Sequence, residues 1–225
     1  MTVYLLPEEP VFPPVDEAEP DGLIAIGGDL SPERLINAYA NGIFPWFMEE
    51  GDVFWYSPDP RMVMFPEQFR IPGSLKRIIR SNRFSVKFDT AFGKVIRECA
   101  DAPRPGQDGT WISQEFIDGY EKLHELGYAH SAEVYCQEEL VGGLYGVSLG
   151  AAFFGESMFF KMNNASKVAF SALVDRCRQY GFRFIDCQVE SSHLLNLGAK
   201  LIKRNDYLRM LVKTMESHSV TGTWQ

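Results

Sequence analysis

The stretch from residue 139 to residue 188 limits the possible folds of this chain more than any other part of it. Two apolar runs there are separated by Ser148-Leu149-Gly150, and a short break containing glycine is typical of a β-hairpin. Ser166 is placed to cap a helix over residues 167–180, where apolar residues recur at helical spacing. A glycine then ends the helix, and residues 182–189 have the composition of a strand. The sequence therefore predicts a hairpin, a helix and a further strand in succession.

Three polar side chains interrupt these apolar elements. Glu156 lies in an apolar strand run, and Asp186 and Gln188 alternate along the later strand, which places them on one face. Carboxylates are rarely buried without partners. One interpretation is that the two acids accept hydrogen bonds from backbone or arginine donors at a strand end. The other is an apolar floor with three directed polar groups, as in small-molecule sites.

Composition excludes several classes of protein. The chain has 225 residues, of which 45% are hydrophobic and 23% charged, as in ordinary soluble proteins. It has no apolar run of membrane-spanning length and no signal-peptide pattern at its N-terminus, so we expect a cytoplasmic protein that does not engage a membrane. The four cysteines show no C-x-x-C spacing, and the four histidines have no metal-ligand spacing with them. No metal site is expected.

Charge is distributed unevenly along the chain. The net charge of −8 argues against indiscriminate nucleic-acid binding. Between Arg70 and Arg97, however, eight basic residues stand against a single acid, Asp89, a local charge of +7. Such a run is either a solvated face or a surface for a phosphate-bearing partner.

Around this unit, the sequence predicts an α/β (α+β) layer fold with two domains. Residues 1–65 form a small N-terminal domain that contributes aromatic, proline-broken loops to the site, as a satellite cluster or as a platform for flat rings. Residues 66–225 form the larger domain. The order β-α-α-β-β-β-α-β over residues 84–189 predicts a mixed sheet covered by helices. A loop over residues 101–110 precedes Trp111-Ile112.

A set of short motifs, in order along the chain, carries a family resemblance. They are Gly22-Leu23-Ile24-Ala25-Ile26-Gly27-Gly28-Asp29-Leu30, Gly42-Ile43-Phe44-Pro45-Trp46, Ser57-Pro58-Asp59-Pro60-Arg61, Gly109-Thr110-Trp111-Ile112, Gly143-Leu144-Tyr145-Gly146, Gly155-Glu156-Ser157-Met158-Phe159 and Ile185-Asp186-Cys187-Gln188. Together they resemble the bacterial leucyl/phenylalanyl-tRNA–protein transferases over residues 12–212. The resemblance implies transfer of leucine or phenylalanine from tRNA to the N-terminus of proteins that begin with Arg or Lys, which marks them for degradation. It also implies an acetyltransferase-like (GNAT) fold for the larger domain, and no cofactor.

The resemblance assigns roles to the polar groups. Gln188 has the role of taking the proton of the attacking amine, with Asp186 polarising it. Because an amide is a very weak base, we expect Gln188 instead to aim the amine, with Asp186 orienting Gln188 and stabilising the ammonium that forms. Glu156 would hold the α-ammonium or the cationic side chain of the acceptor.

The resemblance also assigns binding residues. Trp46 and Trp111 would stack on the terminal adenine, with ordinary core packing as the alternative, and Tyr39 and Tyr120 are expected nearby. The pocket for the aminoacyl side chain would be lined by Leu144, Phe153, Met158 and Ile185. The acceptor-stem phosphates would meet the basic residues Lys76, Arg77, Arg80, Arg83 and Lys87.

Two other functions fit parts of the sequence. One is an acetyl-CoA-dependent N-acetyltransferase, for which the nearest match to a pyrophosphate loop, residues 178–183, ends in the bulky cation Arg183. The other is a protein that binds tRNA or N-terminal degradation signals without catalysis, which predicts binding without turnover.

Overall fold

The computed structural model describes residues 3–103 and 110–224, and it contains a four-stranded and a seven-stranded sheet. The strands are β1 (Tyr4–Leu5), β2 (Leu23–Ile26), β3 (Phe44–Glu49), β4 (Asp52–Tyr56), β5 (Arg61–Met64), β6 (Ser85–Phe88), β7 (Ala129–Cys136), β8 (Glu139–Leu149), β9 (Ala152–Phe160), β10 (Phe184–Gln188) and β11 (Lys200–Ile202). The helices are α1 (Pro32–Ala40), α2 (Gly73–Arg80), α3 (Phe92–Asp101), α4 (Gln114–Glu125), α5 (Ala165–Gln179), α6 (Ser192–Asn196) and α7 (Arg204–Met215). Most of the predicted loop over 101–110 lies outside the described residues.

The larger sheet has the strand order β11-β5-β10-β9-β8-β7-β6. All neighbouring strands in it are antiparallel except β9 and β10, which are parallel and are joined by the crossover helix α5. This order confirms the mixed α/β class and the succession of elements predicted for residues 84–189. The hairpin β8–β9 is also confirmed.

The two faces of the larger sheet are covered by different helices. Leu144 and Tyr145 are neighbours in β8, yet Leu144 packs into a core cluster with α5, and Tyr145 packs into a second cluster with α3 and α4. This alternation is the period of two that a strand imposes on its side chains. Both faces of β8 are therefore buried, which explains why its sequence is apolar almost without interruption.

Two local predictions were wrong. Helix α5 begins at Ala165 after Asn164, which has a left-handed backbone (φ 73°), and Ser166 lies buried inside the helix rather than at its cap. The aromatic segments around Trp46 and Trp55 are the paired strands β3 and β4 rather than loops. Proline is tolerated at Pro45 because β3 is the edge strand of the small sheet.

Strand β5 belongs to the predicted N-terminal domain by its position in the chain, but not by its strand pairing. It precedes residue 65 in the chain but lies inside the larger sheet, between β10 and β11. The division into residues 1–65 and 66–225 stays a prediction. Among the described residues, no helix combines the length and the apolar character needed to cross a membrane.

Candidate functional site

A cavity of about 290 Å³ opens where the parallel strands β9 and β10 separate. Their pairing runs from Ala152–Phe184 to Phe154–Asp186, after which the two strands diverge. The side chains that follow, Glu156 on β9 and Gln188 on β10, face each other across the gap. The cavity therefore lies where the N-terminal halves of β9 and β10 are paired and their C-terminal halves are not.

The structure brings most of the predicted site residues to this cavity. All four residues predicted for an aminoacyl pocket line it, namely Leu144, Phe153, Met158 and Ile185. Glu156, Asp186, Gln188 and Trp111 line it too. The floor is completed by Phe170 and Leu173 of α5 and by Leu194 of α6. Apolar walls with a few convergent polar groups are the usual form of a small-molecule site.

Asp186 is fully buried, and its carboxylate accepts four hydrogen bonds. It accepts two hydrogen bonds from Arg61, at 2.9 Å from Nε and 2.7 Å from Nη2. The hydroxyl of Tyr207 donates at 2.7 Å and the backbone N–H of Gln188 at 2.9 Å. Four hydrogen bonds use about the whole accepting capacity of a carboxylate. The interpretation that this acid serves arginine and backbone donors is therefore the one that the geometry supports.

Arg61 completes this cluster. Arg61 is 1% exposed, and its guanidinium lies over the rings of Phe44 and Tyr207, 4.7 and 4.8 Å from their centroids. Burial alone would lower the pKa of Arg61, but the adjacent Asp186 carboxylate raises it above its ordinary value. Arg61 therefore keeps its positive charge inside the protein.

Gln188 has an unusual backbone. Its φ of 62° is left-handed, and the pairing of β10 with β5 shifts register between Asp186 and Gln188. This bulge breaks the regular alternation from which a shared face was predicted. A non-glycine residue in this conformation costs about 1–3 kcal/mol. The bond from the Gln188 N–H to Asp186 holds the bend, and the side-chain Nε2 donates to Glu156 at 2.8 Å.

Unlike Asp186, which is paired with a charged arginine, Glu156 has neutral hydrogen-bond donors. It accepts hydrogen bonds from the Tyr120 hydroxyl at 2.8 Å and from Gln188 Nε2. Burial raises the pKa of Glu156 to about 7, although the bond from Tyr120 lowers it, and the negative charge of Asp186 raises it further. This carboxyl is consequently ionised in only part of the molecules at neutral pH.

Two buried tyrosines lie next to Glu156. The hydroxyls of Tyr39 on α1 and Tyr120 on α4 are hydrogen-bonded to each other, and both side chains are fully buried. Burial, together with the charge of Glu156, raises the pKa of each well above its ordinary value, so both remain neutral. The two tyrosines were predicted to lie near the site, and Tyr120 is in direct contact with Glu156.

The two predicted adenine-stacking residues differ in position. Trp111 lines the cavity and also packs edge-on against Phe116, with ring centroids 5.5 Å apart. Trp46 does not line the cavity and instead packs against Tyr56 and Phe44 in the small sheet. Phe44 in turn lies against the guanidinium of Arg61.

The predicted phosphate-binding residues, which we call the basic strip, are all exposed and do not line the cavity. Three of them, Lys76, Arg77 and Arg80, lie on α2, followed by Arg83 and by Lys87 on β6. The guanidinium of Arg83 lies over the ring of Phe84, and the ammonium of Lys87 lies over that of Tyr135. Their role in binding phosphates stays a prediction.

Sequence reasoning missed Arg61 and Tyr207, two side chains that donate hydrogen bonds to Asp186. Arg61 is separated from Asp186 by 125 positions, and Tyr207 by 21, so no local pattern links them. The one available signal was the position of Arg61 at the end of the motif Ser57-Pro58-Asp59-Pro60-Arg61. Among the residues that the structure describes, no three His, Cys, Asp or Glu side chains are placed to hold a metal ion.

Comparison with known proteins identifies the family. The model of the leucyl/phenylalanyl-tRNA protein transferases matches residues 63–212, and the model of their N-terminal domain matches residues 28–59. The chain belongs to this family. A leucyl/phenylalanyl-tRNA–protein transferase of Anaeromyxobacter sp. (strain K) is 52% identical, with 100% of this chain and 97% of the relative covered. One from Myxococcus xanthus is 49% identical over the same shares. The activity of the chain is therefore aminoacyl transfer.

Solved structures of similar fold are more distant. The L-PGS from Bacillus licheniformis is 12% identical with a TM-score of 0.43, covering 75% of this chain and 54% of that one. An aminoglycoside acetyltransferase from an uncultured soil sample is 14% identical with a TM-score of 0.40, covering 64% and 97%. Nothing about activity follows from likeness at this level.

Proposed function

We propose that this protein transfers leucine or phenylalanine from its tRNA to the N-terminal α-amine of proteins that begin with Arg or Lys, and so marks them for degradation. Membership of the family supports the reaction. The observation that supports this reaction at the present site is the cavity, which combines an apolar floor with the polar side chains of Glu156 and Gln188. Because the donor is an aminoacyl-tRNA, we also propose that the protein acts in the cytoplasm.

The floor of the cavity suits an aliphatic or aromatic side chain. An apolar pocket discriminates by size and shape, with each methylene worth about 1–3 kcal/mol. Met158, which is unbranched and adaptable, would let the same pocket accept both leucine and phenylalanine. We call this part of the cavity, lined by Leu144, Phe153, Met158 and Ile185, the aminoacyl pocket.

The chemical step needs more positioning than base strength. A free α-amine has a pKa near 8, so about one molecule in ten is neutral at pH 7 and deprotonation costs about 1.4 kcal/mol. Holding the amine against the ester carbonyl contributes several kcal/mol. Gln188 is suited to that task, because its Nε2 donates to Glu156 and its side-chain oxygen can then accept from the amine.

Glu156 is suited to take the proton that the amine releases after attack. A general base works best when its pKa is close to the working pH, and burial gives Glu156 a pKa of about 7. The attacking nitrogen forms the new amide bond, the ester bond to the terminal ribose breaks, and the proton that Glu156 took from the nitrogen passes to the leaving ribose oxygen. Asp186 has no accepting capacity left for an ammonium, so we assign it the orientation of Gln188 alone.

One assay separates this function from its alternatives. Purified protein is incubated with radiolabelled leucyl-tRNA and a peptide that begins with Arg, and label in the peptide is counted. Matched controls are the same peptide with an acetylated N-terminus, a peptide that begins with Glu, and acetyl-CoA as the donor. We expect transfer only with leucyl-tRNA and a free N-terminal Arg. Transfer from acetyl-CoA would identify an N-acetyltransferase, and tRNA binding without label in any peptide would identify a binding protein.

A further inference from the structure

A buried tryptophan after the last helix packs directly behind the aminoacyl pocket. Trp224 is 1% exposed and does not itself line the cavity. Its ring centroid lies 5.7 Å from that of Phe153, at an angle of 44°. Phe153 is fully buried and does line the cavity. Trp224 thus forms a second layer behind one wall of the pocket.

Trp224 is held from its backbone and from its ring. Its N–H donates to Asp89 Oδ2 at 2.7 Å, and its carbonyl accepts from Arg176. The indole stacks on His130 with centroids 4.0 Å apart and planes 11° apart. The segment that leads to it, residues 216–223, is fixed to the β8–β9 turn, because Ser219 Oγ accepts from the Gly150 N–H at 2.9 Å. This segment lies beyond residues 63–212, which the family model matches.

Phe153 also makes a close contact on the side of the neighbouring strand. On the neighbouring strand, Gly146 lies so close to the ring that a Cβ there would come within 2.6 Å of it. The Phe153 ring therefore packs against both the backbone at Gly146 and the indole of Trp224. In a close-packed interior, a side chain packed in this way keeps one position.

We propose that Trp224 is a specificity-determining positioning residue, which fixes Phe153 and thereby sets how large an aminoacyl side chain the pocket accepts. This inference rests on the proposed function, because it concerns the size of the amino acid that is transferred. Removing the indole gives Phe153 space to retreat, so that the pocket becomes deeper. The acceptance of large side chains then rises relative to that of leucine.

The contribution of Trp224 is its shape rather than its polar group. Among the described residues, none accepts a hydrogen bond from the indole Nε1, which is buried. An unsatisfied buried donor is costly, so replacement by phenylalanine removes that cost while it shortens the ring. Trp224→Phe is therefore a milder variant that retains a ring against Phe153.

The test compares kcat/KM for leucyl-, phenylalanyl- and tryptophanyl-tRNA with a peptide that begins with Arg. For Trp224→Ala we expect the ratio of phenylalanine to leucine to rise about tenfold, with tryptophan becoming a measurable donor. Trp224→Phe should shift the ratio in the same direction by less. In a Phe153→Leu background, Trp224→Ala should change the ratio by less than about twofold, because the residue through which it acts is gone.

The matched control is Ile96→Ala, which removes a fully buried side chain from α3 on the opposite face of the sheet. It should lower thermal stability without changing the ratio. An unchanged ratio in Trp224→Ala, or in Trp224→Phe if the alanine variant does not fold, would overturn the inference. So would an equal shift in Ile96→Ala, or a full shift in the Phe153→Leu background. Wild-type protein that transfers nothing would instead contradict the proposed function.

Discussion

The two sides of the cavity bury a carboxylate in opposite ways. On one side, Asp186 is paired with Arg61 and accepts four hydrogen bonds, so its charge is balanced where it stands. On the other side, Glu156 accepts from the neutral donors Tyr120 and Gln188, and burial raises its pKa to about 7. An acid with a paired charge therefore serves as a fixed support, whereas an acid held by neutral groups keeps its proton exchangeable near neutral pH.

The largest expected effect comes from removing the charge partner on the Asp186 side. Arg61→Met should lower the free energy of unfolding by about 3–5 kcal/mol, because it leaves a buried carboxylate uncompensated. Urea unfolding measures this loss. In the double variant with Asp186→Asn, the loss should be smaller than the sum of the two single losses. A loss under about 1 kcal/mol for Arg61→Met would mean that the pair is not a support.

A second effect tests whether Asp186 orients the reaction rather than binds the donor. Asp186→Asn keeps the shape of the side chain but weakens its hold on Arg61 and on the Gln188 N–H. We expect the transfer rate to fall about 100-fold, since small misplacement of a reacting group has effects of that size. The dissociation constant for aminoacyl-tRNA should stay within about threefold of wild type. Asp206→Asn, on the exposed face of α7, is the control. Equal losses in rate and affinity would remove the orienting role.

Much of this framework could be predicted from the sequence, but the contrast between the two acids could not. The hairpin, α5 and β10 follow from apolar periodicity and from glycines, which act over a few residues. The apolar pocket residues on those strands were supplied by the family resemblance rather than by the periodicity. The pairing of Arg61 with Asp186 depends on β5 lying beside β10, and nothing local to either residue specifies that. Strands β3 and β4 were missed because Pro45 is acceptable only at a sheet edge, which is a tertiary property.

The two tryptophans differ in the same way as the acids, because one lies on the Glu156 side of the cavity and the other on the Asp186 side. Trp111 packs on Phe116 beside Tyr120, on the Glu156 side, whereas Trp46 packs on Phe44, which covers Arg61. Stacking of a base on an aromatic ring is worth about 1–3 kcal/mol. We therefore expect Trp111→Ala to raise KM for a minimal aminoacyl-adenosine donor about 5- to 100-fold, and Trp46→Ala to raise it less. If Trp111→Ala costs nothing with that donor, its role is packing.

The smallest effect is expected from the basic strip, which lies outside both sides of the cavity. Changing Lys76, Arg77 and Arg80 together to Ala should raise KM for aminoacyl-tRNA several-fold. It should also reduce the log–log slope of binding against salt concentration by about one unit for each phosphate that the protein no longer neutralises. The control is the triple change of Lys203, Arg209 and Lys213 to Ala. A salt slope that stays at the wild-type value would exclude the strip from the tRNA interface.

The role of Glu156 is decided by the pH dependence of single-turnover transfer, measured for the wild-type protein and for Glu156→Gln. Both the α-amine, with a pKa near 8, and Glu156, with a pKa of about 7, must lose a proton before reaction. The logarithm of the wild-type rate should therefore rise with a slope approaching two at pH values below both pKa values. The Glu156→Gln rate should be lower and should rise with a slope of one. Equal slopes for the two proteins would contradict the assignment of Glu156 as the group that takes the proton.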